Sequence, residues 1–165
     1  MYRKNLVMTL RFYLALLFVV AIPTASVADM PQLLHLGAVV SSKREPQITG
    51  VLTLADQGRN EFTVRGSFSG LTPGAHDFYI HEMGDCSADD FSSAGGRYAL
   101  TNTATSTLGS IVADAQGNSK VDLVSSRVSL AALVGRSVIV YEKAAKQGAE
   151  HGGDSGARVA CGVIK

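Results

Sequence analysis

The strongest constraint on this chain is a change of face at every residue. In "GVLTLADQGRNEFTVRGSFSGLTPG", residues 50–74, apolar and polar side chains alternate over 51–55 and again over 61–68, with the turn-forming "DQGRN" between them. Period-two alternation interrupted by Gly and Asn is the pattern of antiparallel strands joined by a tight turn, and Pro73-Gly74 ends the second run. "LGSIVADAQGNSKVDLVS" repeats it, with Gly117-Asn118 between residues 110–113 and 120–124, and predicts a second hairpin. "RSVIVYEKA" and "ARVACGVI" are rich in β-branched residues and supply two further strands. Only "VSLAALV", residues 128–134, could make a helical turn, and it lacks the length and caps of a stable helix. About eight short strands without βαβ alternation predict an all-β domain, an antiparallel barrel or sandwich.

The first residues follow other rules. Arg3, Lys4 and Arg11 precede an apolar run of eleven residues, 12–22, and then "PTASVAD" presents Ser26 and Ala28 as small residues at a cleavage site. This is the layout of a secretory signal peptide over residues 1–28, leaving a mature domain at 29–165. The run falls well short of the roughly 20 residues that span a bilayer, so no stable membrane span is expected after cleavage. Losing those three cations takes the formal charge from +1 to −2. No basic patch then remains for nucleic acid. Export, with the periplasm ahead of the extracellular medium, also bears on Cys86 and Cys161: in an oxidising compartment an isolated pair is more often a disulfide than a metal or catalytic site. Such a bridge would close a loop of roughly 75 residues, for which the chain-entropy model gives about 4 to 5 kcal/mol.

The chemistry-bearing stretch is "HDFYIHEMGDC", residues 76–86. Strand alternation places Phe78, Ile80 and Glu82 on one side and Asp77, Tyr79 and His81 on the other, so Tyr79 and His81 point the same way. Two such residues at i and i+2 suit a metal site, although a Tyr/His pair of this kind is more often a solvated face. His35, in "QLLHLGAVV", and His151, in a glycine-rich loop, read as incidental. Asp85, Asp89 and Asp90 fit no calcium-loop spacing and read as an acidic turn.

"GLTPGAHDFYIHEMGDC", residues 70–86, resembles the copper/zinc superoxide dismutase signature G-L-x-P-G-x-H-G-F-H-V-H-E-x-G-D. In the same order follow "SSAGG" at 92–96, "LGSIVADAQG" at 108–117, "VGRSVIVYEKA" at 134–144 and "SGARVACGVI" at 155–164, each similar to a block of that family. The resemblance implies an eight-stranded Greek-key β-barrel and places the family's disulfide on Cys86 and Cys161.

Carried over residue by residue, the resemblance implies a degenerate metal site. Of the four family copper histidines only His81 is kept; Tyr79 and Tyr141 replace two, and Arg97 stands where the histidine bridging copper and zinc would be. His76 matches a supporting position. The family's zinc-binding loop corresponds to "YALTNTATST", residues 98–107, which offers no histidine, cysteine or acid, so no zinc site is expected. The guiding loop is reduced to "KAAKQGAEHGGDSG", and Arg158 matches the family's anion-guiding arginine.

Copper cycling in that family depends on imidazoles, which Tyr79, Tyr141, Arg97 and one histidine cannot reproduce. The favoured expectation is therefore an exported, non-catalytic superoxide dismutase-like domain with a binding or structural role, no cofactor, and an unidentified protein or small-molecule partner; a homodimer stays open. Arg97 could stack on Tyr79 or Tyr141 and pack the vacated site. The alternatives are a haem- or single copper- or iron-binding protein using Tyr79, Tyr141 and His81, and a residual dismutase with atypical ligation.

Overall fold

A computed structural model describes residues 34–44, 46–99, 107–126, 128–145 and 155–165. The proposed signal peptide, His151, and most of the zinc-loop and guiding-loop segments lie outside the described residues. Among the described residues eight strands follow one another: β1 His35–Ser41, β2 Thr49–Gly58, β3 Glu61–Ser69, β4 Gly74–His81, β5 Thr107–Ala113, β6 Ser119–Ser126, β7 Ser137–Tyr141 and β8 Arg158–Val163. The helical segments among the described residues are two single 3₁₀ turns, Ser92–Ala94 and Leu130–Leu133. The second falls on "VSLAALV".

The first hairpin forms where alternation predicts it. Arg59 and Asn60 take φ of 57° and 60°, both left-handed, which gives the turn the twist that antiparallel strands need. Asp56 Oδ1 accepts the Gly58 N–H at 2.8 Å and fixes the approach to that turn. Across β1 and β2 the alternation becomes burial: Leu36, Ala38, Val40, Leu52 and Leu54 face the core, while Val39 on the opposite face is 74% exposed.

Every ladder is antiparallel, and the strands lie in the order β5-β4-β7-β8-β1-β2-β3-β6. β6 beside β3 and β7 beside β4 are pairs far apart in sequence, the Greek-key arrangement. The terminal strands β5 and β6 come together to make a nearly closed barrel. Here the structure departs from the second predicted hairpin. Asp114 and Asn118 close the turn through a 2.9 Å backbone hydrogen bond, yet β5 and β6 share no ladder beyond it. Each strand is already paired on its other side, β5 with β4 and β6 with β3. At this seam the Leu123 side chain of β6 packs over Gly109 of β5.

β4 and β7 position the site because both of their faces are covered. Phe78, Ile80, Val138 and Val140 join the main core inside the barrel. Their alternates Tyr79, Ile139 and Tyr141 form a second cluster outside it, with Phe91, Ala94 and Cys161. The segment after β4 folds back to cover this cluster: Tyr98 N–H bonds to Ile80 O at 2.8 Å, Glu82 N–H to Gly96 O and Met83 N–H to Ala94 O, both at 3.0 Å. The Cys86–Cys161 disulfide, with Cα atoms 5.8 Å apart, ties that segment to β8.

Candidate functional site

Tyr79 and His81 do project from one face of β4, but that face is not solvated: Tyr79 is 3% exposed and His81 fully buried. The cover consists of Arg97, bridged to His81 in an isolated β-pair, and Tyr141 from the end of β7. All four residues that the resemblance matches to copper-ligand positions are therefore brought together.

Their polar atoms are committed to one another. Tyr141 Oη lies 3.1 Å from His81 Nε2, and His81 Nδ1 lies 3.1 Å from the Gly95 carbonyl oxygen. A carbonyl only accepts, so Nδ1 carries the proton and Nε2 receives the Tyr141 hydroxyl. Burial holds the His81 imidazole down to about 4, and the nearby guanidinium groups of Arg158 and Arg97 act in the same direction against the opposing pull of the Gly95 bond. Tyr79 donates to Asp77 Oδ2 at 3.0 Å. Burial raises the pKa of this phenol, so the phenolate form is disfavoured.

Arg97 fills the corner between the rings. Its Cζ lies 3.8 Å from the centroid of Tyr79 and 4.9 Å from that of Tyr141. The rings meet edge to face, 5.3 Å apart at 85°. Arg97 Nη2 donates to Ser155 Oγ at 3.3 Å, and Ser155 Oγ in turn reaches Asp77 Oδ2 at 3.5 Å. Asp77 also accepts the Ala145 N–H at 2.8 Å and the Ser110 hydroxyl. A buried carboxylate needs several donors, and Asp77 has them.

Asp77, Ser110 and Ser155 were missed as site residues in the sequence. A signal existed for Asp77. Strand alternation puts it on the Tyr79 face, and it occupies a glycine of the family pattern. Nothing local marked Ser110 or Ser155, which reach the site only through the fold.

Other sequence candidates fall at the margin. His76 Nδ1 lies 2.8 Å from the Tyr141 carbonyl oxygen and Nε2 2.8 Å from that of Thr72, so it ties β4 to β7 and to the β3–β4 connection. Arg158 donates to the carbonyls of Phe91, at 2.6 Å, and Gly95, at 2.9 Å. Gly95 thus serves both His81 and Arg158, and its φ of 73° is in the range that glycine adopts without strain. His35 is exposed at the start of β1. Asp85 and Asp90 accept the backbone N–H groups of Ser87 and Ser92, and hydrogen bonds from those serines hold both carboxyls below the usual range. Asp89 pairs with Lys43 at 3.9 Å.

These residues do not fit the family's copper. Of the His81 nitrogens one is protonated and the other is capped by Tyr141, the Tyr79 phenol is held in its neutral form, and a permanent cation sits against the tyrosine rings. A single iron ion or a haem bound through phenolate meets the same obstacles. Among the described residues no group of three or more His, Cys, Asp or Glu is placed to hold a metal ion.

Comparison with known proteins agrees on the scaffold. The crystal structure of the clock protein EA4 superposes with a TM-score of 0.68 at 30% sequence identity, covering 79% of this chain and 92% of that one. The profile of the family described as copper/zinc superoxide dismutase (SODC) matches residues 48–164, and the chain belongs to that family.

Proposed function

We propose that this chain is an exported superoxide dismutase-like domain that does not turn over superoxide at the family's metal centre and acts instead as a binding or structural module. The observation that carries this reading is the fate of the four copper positions: Tyr79, His81, Arg97 and Tyr141 spend their polar groups on Asp77, Ser155, Gly95 and one another. Catalysis of this kind requires a metal that can change its ligands and oxidation state, and a closed network of neutral phenols beside a fixed guanidinium offers neither. The signal-like leader and the disulfide support export, with the periplasm favoured. A barrel of this family is not tied to one role, and a relative of the same fold is described as a clock protein.

A cleft beside the site supports a small-molecule partner over a purely structural role. A cleft of about 660 Å³ opens beside the site, lined among others by Lys43, Arg44, Phe91, Glu142 and Arg158. That volume is in the range of ligand pockets, and its walls combine apolar surface with charges of both signs.

Metal analysis combined with a superoxide-decay assay on protein reloaded with copper tests the proposal. The expected result is substoichiometric copper and decay at the rate of the protein-free control. Stoichiometric copper with fast turnover would overturn it.

A further inference from the structure

Tyr79 and Tyr141 present their ring faces to the positive group between them. We infer that the site has become a guanidinium-binding cage whose resident cation is Arg97, and that this side chain, rather than a metal, joins β4, β7 and the segment at Ser155. The inference deepens the non-catalytic reading and rests on it.

The geometry selects the chemical class. A cation within about 6 Å of an aromatic centroid is attracted by the ring, and Arg97 Cζ satisfies this for both tyrosines, at 3.8 and 4.9 Å. Because the rings stand at 85° to each other, they form two walls of a corner. A flat, delocalised guanidinium can stack on one wall while donating in its own plane, whereas an ammonium is a compact, strongly hydrated point charge. The in-plane acceptor is Ser155 Oγ, 3.3 Å from Nη2, and the Asp77 carboxylate behind it gives the cage a negative end. A metal ion needs lone pairs directed at it, and the two ring faces that meet Arg97 supply none. Arg97 is only partly buried, so a small cation from solvent can reach the cage once its side chain is removed.

Chemical rescue tests this in the full chain. Arg97→Ala should lower Tm by roughly 5 to 10 °C. Millimolar methylguanidinium or ethylguanidinium should restore part of that loss saturably, with no shift in the unmodified protein and none from methylammonium or urea. Absence of rescue, equal rescue by methylammonium, or the same shift in the unmodified chain would each sink the cage. Should Arg97→Ala fail to fold, the unmodified protein still decides the matter by NMR: the Arg97 side-chain methylene protons are expected upfield under the two rings, and ordinary solvent-exposed positions would refute the stacking. Copper loading and superoxide decay read on the same samples keep the two ideas apart. Failed rescue in an inactive protein removes the cage alone, while stoichiometric copper with fast turnover in the unmodified chain removes both.

Discussion

The hydroxyl of Tyr141 caps Nε2 of His81 at 3.1 Å and so engages the imidazole that the family resemblance matches to a copper ligand. The partner comes from β7, sixty residues further along the chain, and stands at a position where the family pattern has a histidine. Tyr141→Phe would leave that nitrogen buried without a donor. We expect a loss of about 1 to 3 kcal/mol in urea unfolding with an unchanged m-value. An unaffected midpoint would mean that water replaces the hydroxyl freely.

The same imidazole makes stability depend on acid. His81 titrates near 4 in the folded chain, against an ordinary value of 6.5. Its contribution is complete above about pH 6.5 and is lost progressively as pH falls towards 4, because over that window the unfolded chain takes up a proton that the folded chain refuses. The decline attributable to His81 should be about 3 kcal/mol. Urea titrations from pH 7.5 to 4, compared with His81→Gln, measure it, and parallel curves for the two proteins would rule His81 out as the cause.

Asp77 gathers Tyr79, Ser110, Ser155 and the Ala145 N–H around one buried carboxylate. Asp77→Gly, which installs the family's residue, strips these donors of their acceptor at once. A loss of roughly 3 kcal/mol or more is expected, since several buried donors go unsatisfied together. Near-UV circular dichroism should also show a loosened tyrosine environment, and a retained spectrum with native stability would contradict the network.

Restoring the ligands should restore affinity for copper. The triple substitution Tyr79→His, Arg97→His and Tyr141→His places imidazoles, with His81, at all four positions that the resemblance matches to copper ligands. We expect one equivalent of copper(II) by calorimetry and an electron paramagnetic resonance spectrum of nitrogen ligation, with no matching zinc site, because residues 98–107 hold no zinc donors. If the triple variant takes up no copper, the loops around the site have diverged along with the ligands.

Cys86 and Cys161 bind the covering segment to the strand beneath it, and Cys161 packs in the same cluster as Tyr79 and Tyr141. Reduction, or Cys86→Ser with Cys161→Ser, should cost about 2 to 5 kcal/mol. Thermal unfolding with and without reductant checks the size, and the tyrosine near-UV signal should fall as well. A loss of stability that leaves this signal intact would show the bridge acting on the unfolded chain alone.

What the sequence determined by itself was the scaffold. Alternation at residues 51–55 and 61–68 and the turn between them were enough for the strands, because face alternation and turn chemistry are local, while the Greek-key barrel and the family's disulfide came from the resemblance of the ordered blocks. Local rules also showed that Tyr79 and His81 share a face. They could not show whether that face is wet or dry, since burial depends on Tyr141 and Arg97 arriving from other parts of the chain. The seam between β5 and β6 has the same origin: a hairpin turn is written in Gly117-Asn118, but only the completed barrel directs each strand to its other neighbour. Tertiary structure alone decided that Ser110 and Ser155 meet Asp77, that Gly95 serves two side chains, and that Arg97, expected to stack on one tyrosine or the other, lies in the corner of both. The physical reason is that hydrogen bonds and cation–π contacts act over a few ångströms in space, and residues 58 or 78 apart in sequence come within that range only when the fold brings them together.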